Sequence, residues 1–247
     1  MGGTTPGGGE PAPESKPPPA QVPDTTPEGD SGPPEGGISV FGSAWNYGGP
    51  PEGYYRTVAS EGDEGNWLVA AVEGADTMQS QQFELARGLA ILTFDFTGMG
   101  ECSVLIKDTA GTLEQRLLLG VDQLGARAFH IDQPGQYFFD VIASGNWIVN
   151  VWQPTPSTTP HIDRFDGQYS SVTVFSYFEV DQYAFHLTHD GAGDFVVNML
   201  DWEGNPVRQL VNTTGYYDDY PAEFTIQNAN VYLFDIVADG NWTIAIE

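Results

Sequence analysis

The sequence predicts an all-β protein: tandem antiparallel β-sandwiches, of Ig-like or jelly-roll type, behind a disordered Gly/Pro-rich N-terminal tether. Three observations carry this prediction. Beyond residue 38 the chain is dense in β-branched and aromatic residues, with turn signals about every eight to twelve positions and no long helical periodicity. The stretch Tyr137-Phe138-Phe139-Asp140-Val141, ending in Gly145-Asn146-Trp147-Ile148-Val149, recurs at an offset of 95 as Tyr232-Leu233-Phe234-Asp235-Ile236, ending in Gly240-Asn241-Trp242-Thr243-Ile244. Upstream the correspondence continues at an offset of 93: Gly98 to Glu101 answers Gly191 to Asp194, and the turn Asp108–Gly111 answers Asp201–Gly204.

Residues 1–38 are Gly, Pro, Thr, Ser and acid, with Pro17-Pro18-Pro19 favouring extended polyproline backbone. They read as a tether. This leader is similar to the spacer that follows the lipid-modified cysteine of bacterial or archaeal surface lipoproteins, whose mature chain often begins Cys-Gly-Gly. Met1 stands where that cysteine would be, before Gly2-Gly3. The similarity implies an extracellular or cell-surface lipoprotein whose signal and anchor cysteine have been removed; an intact disordered N-terminus is the alternative. Membrane contact is expected only through that removed anchor, because no run of eighteen apolar residues occurs.

Residues 39–74 are either a partial repeat or extra strands of the first sandwich; Gly65-Asn66-Trp67 echoes the later Gly-Asn-Trp motifs. Residues 75–153 are the first sandwich, with seven strands expected near 80–85, 89–96, 101–107, 113–119, 126–131, 135–142 and 146–152. Alternation puts Cys102, Val104 and Ile106 on one face, answered by Phe195, Val197 and Met199. Trp147 and Trp242 alternate with Val and Ile, so both are expected as core anchors. Residues 154–160 form a Pro/Thr linker, and residues 161–247 the second sandwich.

The order of a Gly-rich turn, an apolar strand, an Asp-x-x-Gly turn and then Gly-x-Tyr-x-x-Asp-Val resembles the bacterial pre-peptidase C-terminal domain. The matching positions are Asp108, Gly111, Gly135, Tyr137, Asp140 and Val141; in the second copy Asn230 replaces the glycine. The resemblance implies an accessory, non-catalytic domain of exported proteins and carries over no functional residues.

Thirty-four acids against eight bases give a formal charge of −26. Such a surface repels phosphate backbones, which excludes nucleic acid as a partner. The acidity can serve solubility at high ionic strength, bind divalent cations, or reflect an acid-biased secretome. If screening relieves self-repulsion, the melting temperature should rise from low to molar monovalent salt; an equal gain from millimolar calcium alone would instead indicate specific cation sites.

The chemistry-bearing residues form no catalytic constellation, and the protein is expected not to be an enzyme. One cysteine, Cys102, excludes a disulfide framework and falls on a core position. His186 and His189 are three apart, which on a strand sends them to opposite faces. No cofactor is expected beyond calcium, for which Asp190, Asp194, Asp218 and Asp219 lie in oxygen-rich loops, as do Glu61, Asp63 and Glu64. Asp140 and Asp235 sit inside apolar strands, either accepting backbone hydrogen bonds or facing solvent. Trp202, in a turn tip, and Tyr216, Tyr217 and Tyr220 are the candidate ligand-binding residues, since exposed rings beside carboxylates and amides stack sugars. Because these rings belong to the second copy alone, glycan binding is expected to map to residues 161–247. The expected partners are therefore a glycan or a surface protein. The expected function is adhesion, glycan contact or envelope structure. Self-association as a filament or layer subunit, and an accessory role in a secreted hydrolase system, are the alternatives.

Overall fold

The computed structural model describes residues 1–3, 54–56, 68–98, 100, 102–119, 124–156, 160–220 and 223–247. The expected tether from residue 4 onward, the Glu61–Glu64 loop and Gly65-Asn66-Trp67 lie outside the described residues. The chain divides into units Met1–Gly32 and Pro33–Glu247, and every described strand belongs to the second.

Every described element is a strand. A short β1 (Tyr54–Arg56) pairs antiparallel with β11 (Pro154–Pro156). The first sandwich contains β2 (Leu68–Ala75), β3 (Met78–Gln79), β4 (Phe83–Leu85), β5 (Gly88–Gly98), β6 (Cys102–Asp108), β7 (Leu113–Leu119), β8 (Leu124–Ile131), β9 (Gly135–Ile142) and β10 (Gly145–Trp152). The second contains β12 (Arg164–Gln168), β13 (Ser171–Val172), β14 (Ser176–Phe178), β15 (Gln182–Tyr183), β16 (Phe185–His189), β17 (Asp194–Asp201), β18 (Pro206–Thr214), β19 (Tyr217–Asp219), β20 (Phe224–Thr225), β21 (Asn230–Val237) and β22 (Asn241–Ile246).

In the first sandwich one sheet runs β2-β10-β5-β8 and the other β3-β9-β6-β7, with β4 also on β9. The second has the same order: β12-β22-β16-β19 faces β13-β21-β17-β18, with β14 also on β21. If each short second pair (β3 and β4, β13 and β14) counts as one strand and the separate β15-β20 ribbon is set aside, the two facing sheets of each unit hold eight strands, the first lying beside the last. That is the jelly-roll arrangement. The strand added to the seven expected is β2, drawn from the segment expected as a partial repeat or extra strands. It is an edge strand of the first sandwich, paired from Ala75 opposite Asn146 to Leu68 opposite Trp152.

The Gly-Asn-Trp motifs anchor both units by the same geometry. Trp147 lies opposite Gly74, and Trp242 opposite Gly167. A Cβ on either glycine would come within 2.4 or 2.3 Å of the indole, so only glycine fits. Each indole N–H donates at 2.9 Å to the carbonyl of a residue with left-handed backbone, Asp76 (φ 57°) and Tyr169 (φ 60°). The paired hydroxyls of Ser80 and Thr173 accept from Phe139 N and Phe234 N in the same manner.

The two sandwiches pack against each other. Leu89, Ile91, Ala126, Ala128 and Trp152, on the outer side of the β2-β10-β5-β8 sheet, belong to the same apolar cluster as the core of the second sandwich. Strand β8 has an unpaired edge, and the second sandwich takes its donors. Ala126 N donates to Ser170 O at 2.9 Å, and Ala128 N to Asp235 Oδ1 at 3.0 Å. Covering an edge in this way removes a template for unwanted strand pairing.

The two equivalent aspartates have different fates. Asp140 pairs with Lys107 on its own sheet. Asp235 is buried at 3% exposure and receives two hydrogen bonds of 2.9 Å from the Arg127 guanidinium across the interface. Burial alone would lower the Arg127 pKa; the charge and hydrogen bonds of Asp235 outweigh it and hold the guanidinium above its ordinary value.

Candidate functional site

Trp202 stands where the two jelly rolls meet. Its turn is built by Asp201, whose Oδ1 accepts from Glu203 N and Asn205 N at 2.9 Å each. Gly204 (φ 85°) sits against Leu89 and the Phe129 carbonyl, so close that a Cβ would lie 3.1 Å from both. His130 Nδ1–H donates to Glu203 O at 2.7 Å. The tip of a hairpin of the second sandwich is thus held by the first. This presents the Trp202 ring, 37% exposed, to a cleft of about 370 Å³. Arg87, Gln153, Pro154, Thr155 and Glu203 line the same cleft.

The polar groups of the cleft differ in how far they are committed. The Gln153 amide is occupied structurally, accepting from Ala86 N at 2.9 Å and donating to Ala86 O at 2.8 Å. Lys107, Arg127 and Arg164 each pair with an aspartate, and Arg208 lies over the Phe224 ring at 5.5 Å. Among the described residues, Arg87 remains to meet a ligand, as does Glu203 Oε1, while Glu203 Oε2 accepts from Asn205 Nδ2 at 3.4 Å. Neither Arg87 nor Glu203 was singled out from sequence. The available signal was Arg87 itself, one of eight bases on the chain, placed just before Gly88 (φ 115°) at a strand start.

The four aromatic candidates do not form one platform. Trp202 and Tyr216 lie at opposite ends of the β17–β18 hairpin, about 20 Å apart by strand rise. Tyr217 turns inward beside His189 and packs on Phe195, ring centroids 5.9 Å apart. Tyr216 and Tyr220 are 74% and 51% exposed and flank Asp218. Asp218 Oδ1 accepts from His186 Nε2–H at 2.7 Å, and Oδ2 from the Tyr216 hydroxyl at 3.2 Å. The His186 hydrogen bond is the chief cause holding the Asp218 pKa below the usual carboxylate range.

The calcium candidates are committed to separate local partners. Asp190 accepts from Asn241 N at 2.7 Å and Asn241 Nδ2 at 2.8 Å, which holds its pKa low. Asp194 accepts from the Thr214 hydroxyl, and Asp219 from Tyr220 N. Among the described residues, no three His, Cys, Asp or Glu side chains converge on a point that could hold a metal ion. His186 points outward and His189 is buried, the latter donating from Nδ1 to Gly215 O at 2.9 Å and stacking on Phe195. Cys102 lies wholly buried, and burial pushes its thiol up to about 11.

No protein-family model matches the sequence, and no curated protein matches it. Among solved structures, the chain is similar to the PBSX exported protein XepA at 9% identity, over 73% of this chain and 85% of that one, with a TM-score of 0.27. A conserved protein of unknown function from Pseudomonas aeruginosa, PA5104, has 10% identity over 72% and 98% of the two chains, with a TM-score of 0.21. A Paenibacillus xanthan lyase has 13% identity over 79% of this chain and 26% of that one, with a TM-score of 0.19. At these scores the likenesses carry no argument about this chain.

Proposed function

We propose that this chain is a non-enzymatic, extracellular binding module that contacts glycan in the cleft between its two jelly rolls. The observation that supports this reading most is the Trp202 turn, held by contacts from both sandwiches, whose ring lines an open cleft together with Arg87 and Glu203. A pyranose ring has an apolar face that stacks on indole and a rim of hydroxyls that both donate and accept. Trp202 supplies the stacking surface, Arg87 the donors and Glu203 the acceptor. Fixing the turn in advance lowers the entropy lost on binding. A surface of net charge −26 disfavours polyanionic partners, which leaves neutral saccharides as the better match. Attachment to a cell envelope through an N-terminal lipid fits the Gly/Pro-rich leader, and the resemblance to pre-peptidase C-terminal sandwiches fits an accessory role among exported proteins.

The test is a glycan array probed with the full chain, followed by calorimetry on the best neutral hit. Trp202→Ala should weaken binding at least tenfold, about 1.4 kcal/mol, with an almost unchanged melting temperature. Arg87→Ala should weaken it by a smaller factor. Because both sandwiches line the cleft, the isolated segment 161–247 should bind worse than the whole. Full affinity in the Trp202→Ala protein would overturn the reading.

A further inference from the structure

The outer face of the β12-β22-β16-β19 sheet carries an ordered aromatic network that neither the core nor the cleft uses. His186 projects outward from β16 between buried Phe185 and Leu187. Tyr220 lies flat on its imidazole, with centroids 4.5 Å apart and 11° between planes, and donates its hydroxyl to Glu247 Oε1 at 3.3 Å. Tyr216 and His186 share Asp218 between them. Each ring is therefore held from one side and open to solvent on the other.

The same face of the first sandwich has a different use. By pairing register, Leu89, Ile91 and Thr93 of β5 stand where the second sandwich has Gln182, Ala184 and His186. Leu89 and Ile91 are buried in docking the two units. The second sandwich has nothing docked at this position among the described residues, and its face is made of small and polar residues, with Thr188, Thr243 and Ala245 beside His186. The patch lacks the apolar centre of a protein–protein hot spot.

We propose that Tyr216, Tyr220, His186 and Asp218 form a second saccharide platform, which takes neutral pyranose rings flat on the tyrosines. Sugar hydroxyls donate to the remaining lone pairs of Asp218 and Glu247, and the apolar ring face lies on Tyr220. The net charge again disfavours acidic sugars. The platform is independent of the Trp202 cleft, being at the other end of the β17–β18 hairpin, so a long glycan or two neighbouring chains could be held by one molecule at two points.

The experiment is an NMR titration of the full chain with cellohexaose, chitohexaose and hexagalacturonate, following the His186 and tyrosine ring resonances separately from the Trp202 indole. A neutral hexasaccharide should shift the His186 and Tyr220 rings. Tyr220→Ala should weaken that response about tenfold, and Tyr220→Phe, which keeps the stack, should retain it. The Trp202 indole response should be the same in all three proteins, so loss of the cleft reading and loss of this one are told apart. The melting temperature of Tyr220→Ala should stay near the parent value, because the ring is half exposed. No shift of these rings with either neutral sugar, a shift with hexagalacturonate alone, or an unchanged response in Tyr220→Ala would each overturn the proposal.

Discussion

Trp242→Ala is expected to lower the stability of the protein by about 3–5 kcal/mol. The ring is 2% exposed and lies over Gly167, with no room for even a methyl group between them. Truncation therefore leaves a cavity that the glycine backbone cannot fill. It also orphans the Tyr169 carbonyl, which accepts the indole N–H and belongs to a residue held at φ 60°. Guanidinium unfolding measures the effect, and Trp147→Ala serves as a replicate, since Trp147 repeats the geometry over Gly74 with Asp76 as the acceptor. Trp242→Phe should recover much of the loss, by refilling volume without the hydrogen bond. A cost no larger than that of a surface substitution would mean that the ring does not anchor the sandwich.

The all-β fold and most of its strands were legible because alternation in an antiparallel sheet writes burial directly into sequence. Cys102, Val104 and Ile106 are all buried, as are Phe195, Val197 and Met199. The strand β2 was less legible: its partner is β10, some seventy residues later in sequence, and no turn signature ties the two together. Alternation also fails in short strands. Tyr217 occupies the first position of a three-residue strand, where pattern cannot say that it faces inward while Tyr216 and Tyr220 face out. The cleft was illegible for a simpler reason. Arg87 and Trp202 line one cleft only because two folded units dock, and docking is not local.

The asymmetry of the two units arises from single substitutions at equivalent places. By pairing register, Lys107 of the first unit corresponds to Leu200 of the second. The lysine neutralises Asp140 at home, whereas the leucine, buried, leaves Asp235 to find its cation across the interface. At the far end the apolar docking residues of β5 give way to Gln182, Ala184 and His186, a face suited to water. Terminal units of tandem arrays commonly carry such polar outer faces.

Asp235→Ala should cost about 3–5 kcal/mol, because it leaves the Arg127 guanidinium without its carboxylate at an interface that is otherwise largely apolar. Two further groups lose by it: the Ala128 N–H is orphaned, and the edge of β8 is partly uncovered. Asp235→Asn separates these contributions, since its amide oxygen can still accept from Ala128 N while the charge is gone. It should fall between wild type and alanine. Arg127→Met alone leaves a buried, unpaired carboxylate and should be about as damaging as Asp235→Ala. The double substitution Arg127→Met with Asp235→Leu removes both charges and should recover a large part of the loss, short of the roughly 1–3 kcal/mol set by the unpaired Ala128 N–H. Denaturant melts of wild type, Arg127→Met, Asp235→Leu and the double substitution close a double-mutant cycle, and the coupling should be the largest of any ion pair among the described residues. If the two single substitutions simply add, the carboxylate and guanidinium do not act as a pair, and the contact between the sandwiches rests on the apolar cluster and the hydrogen bonds from Ala126 N and His130.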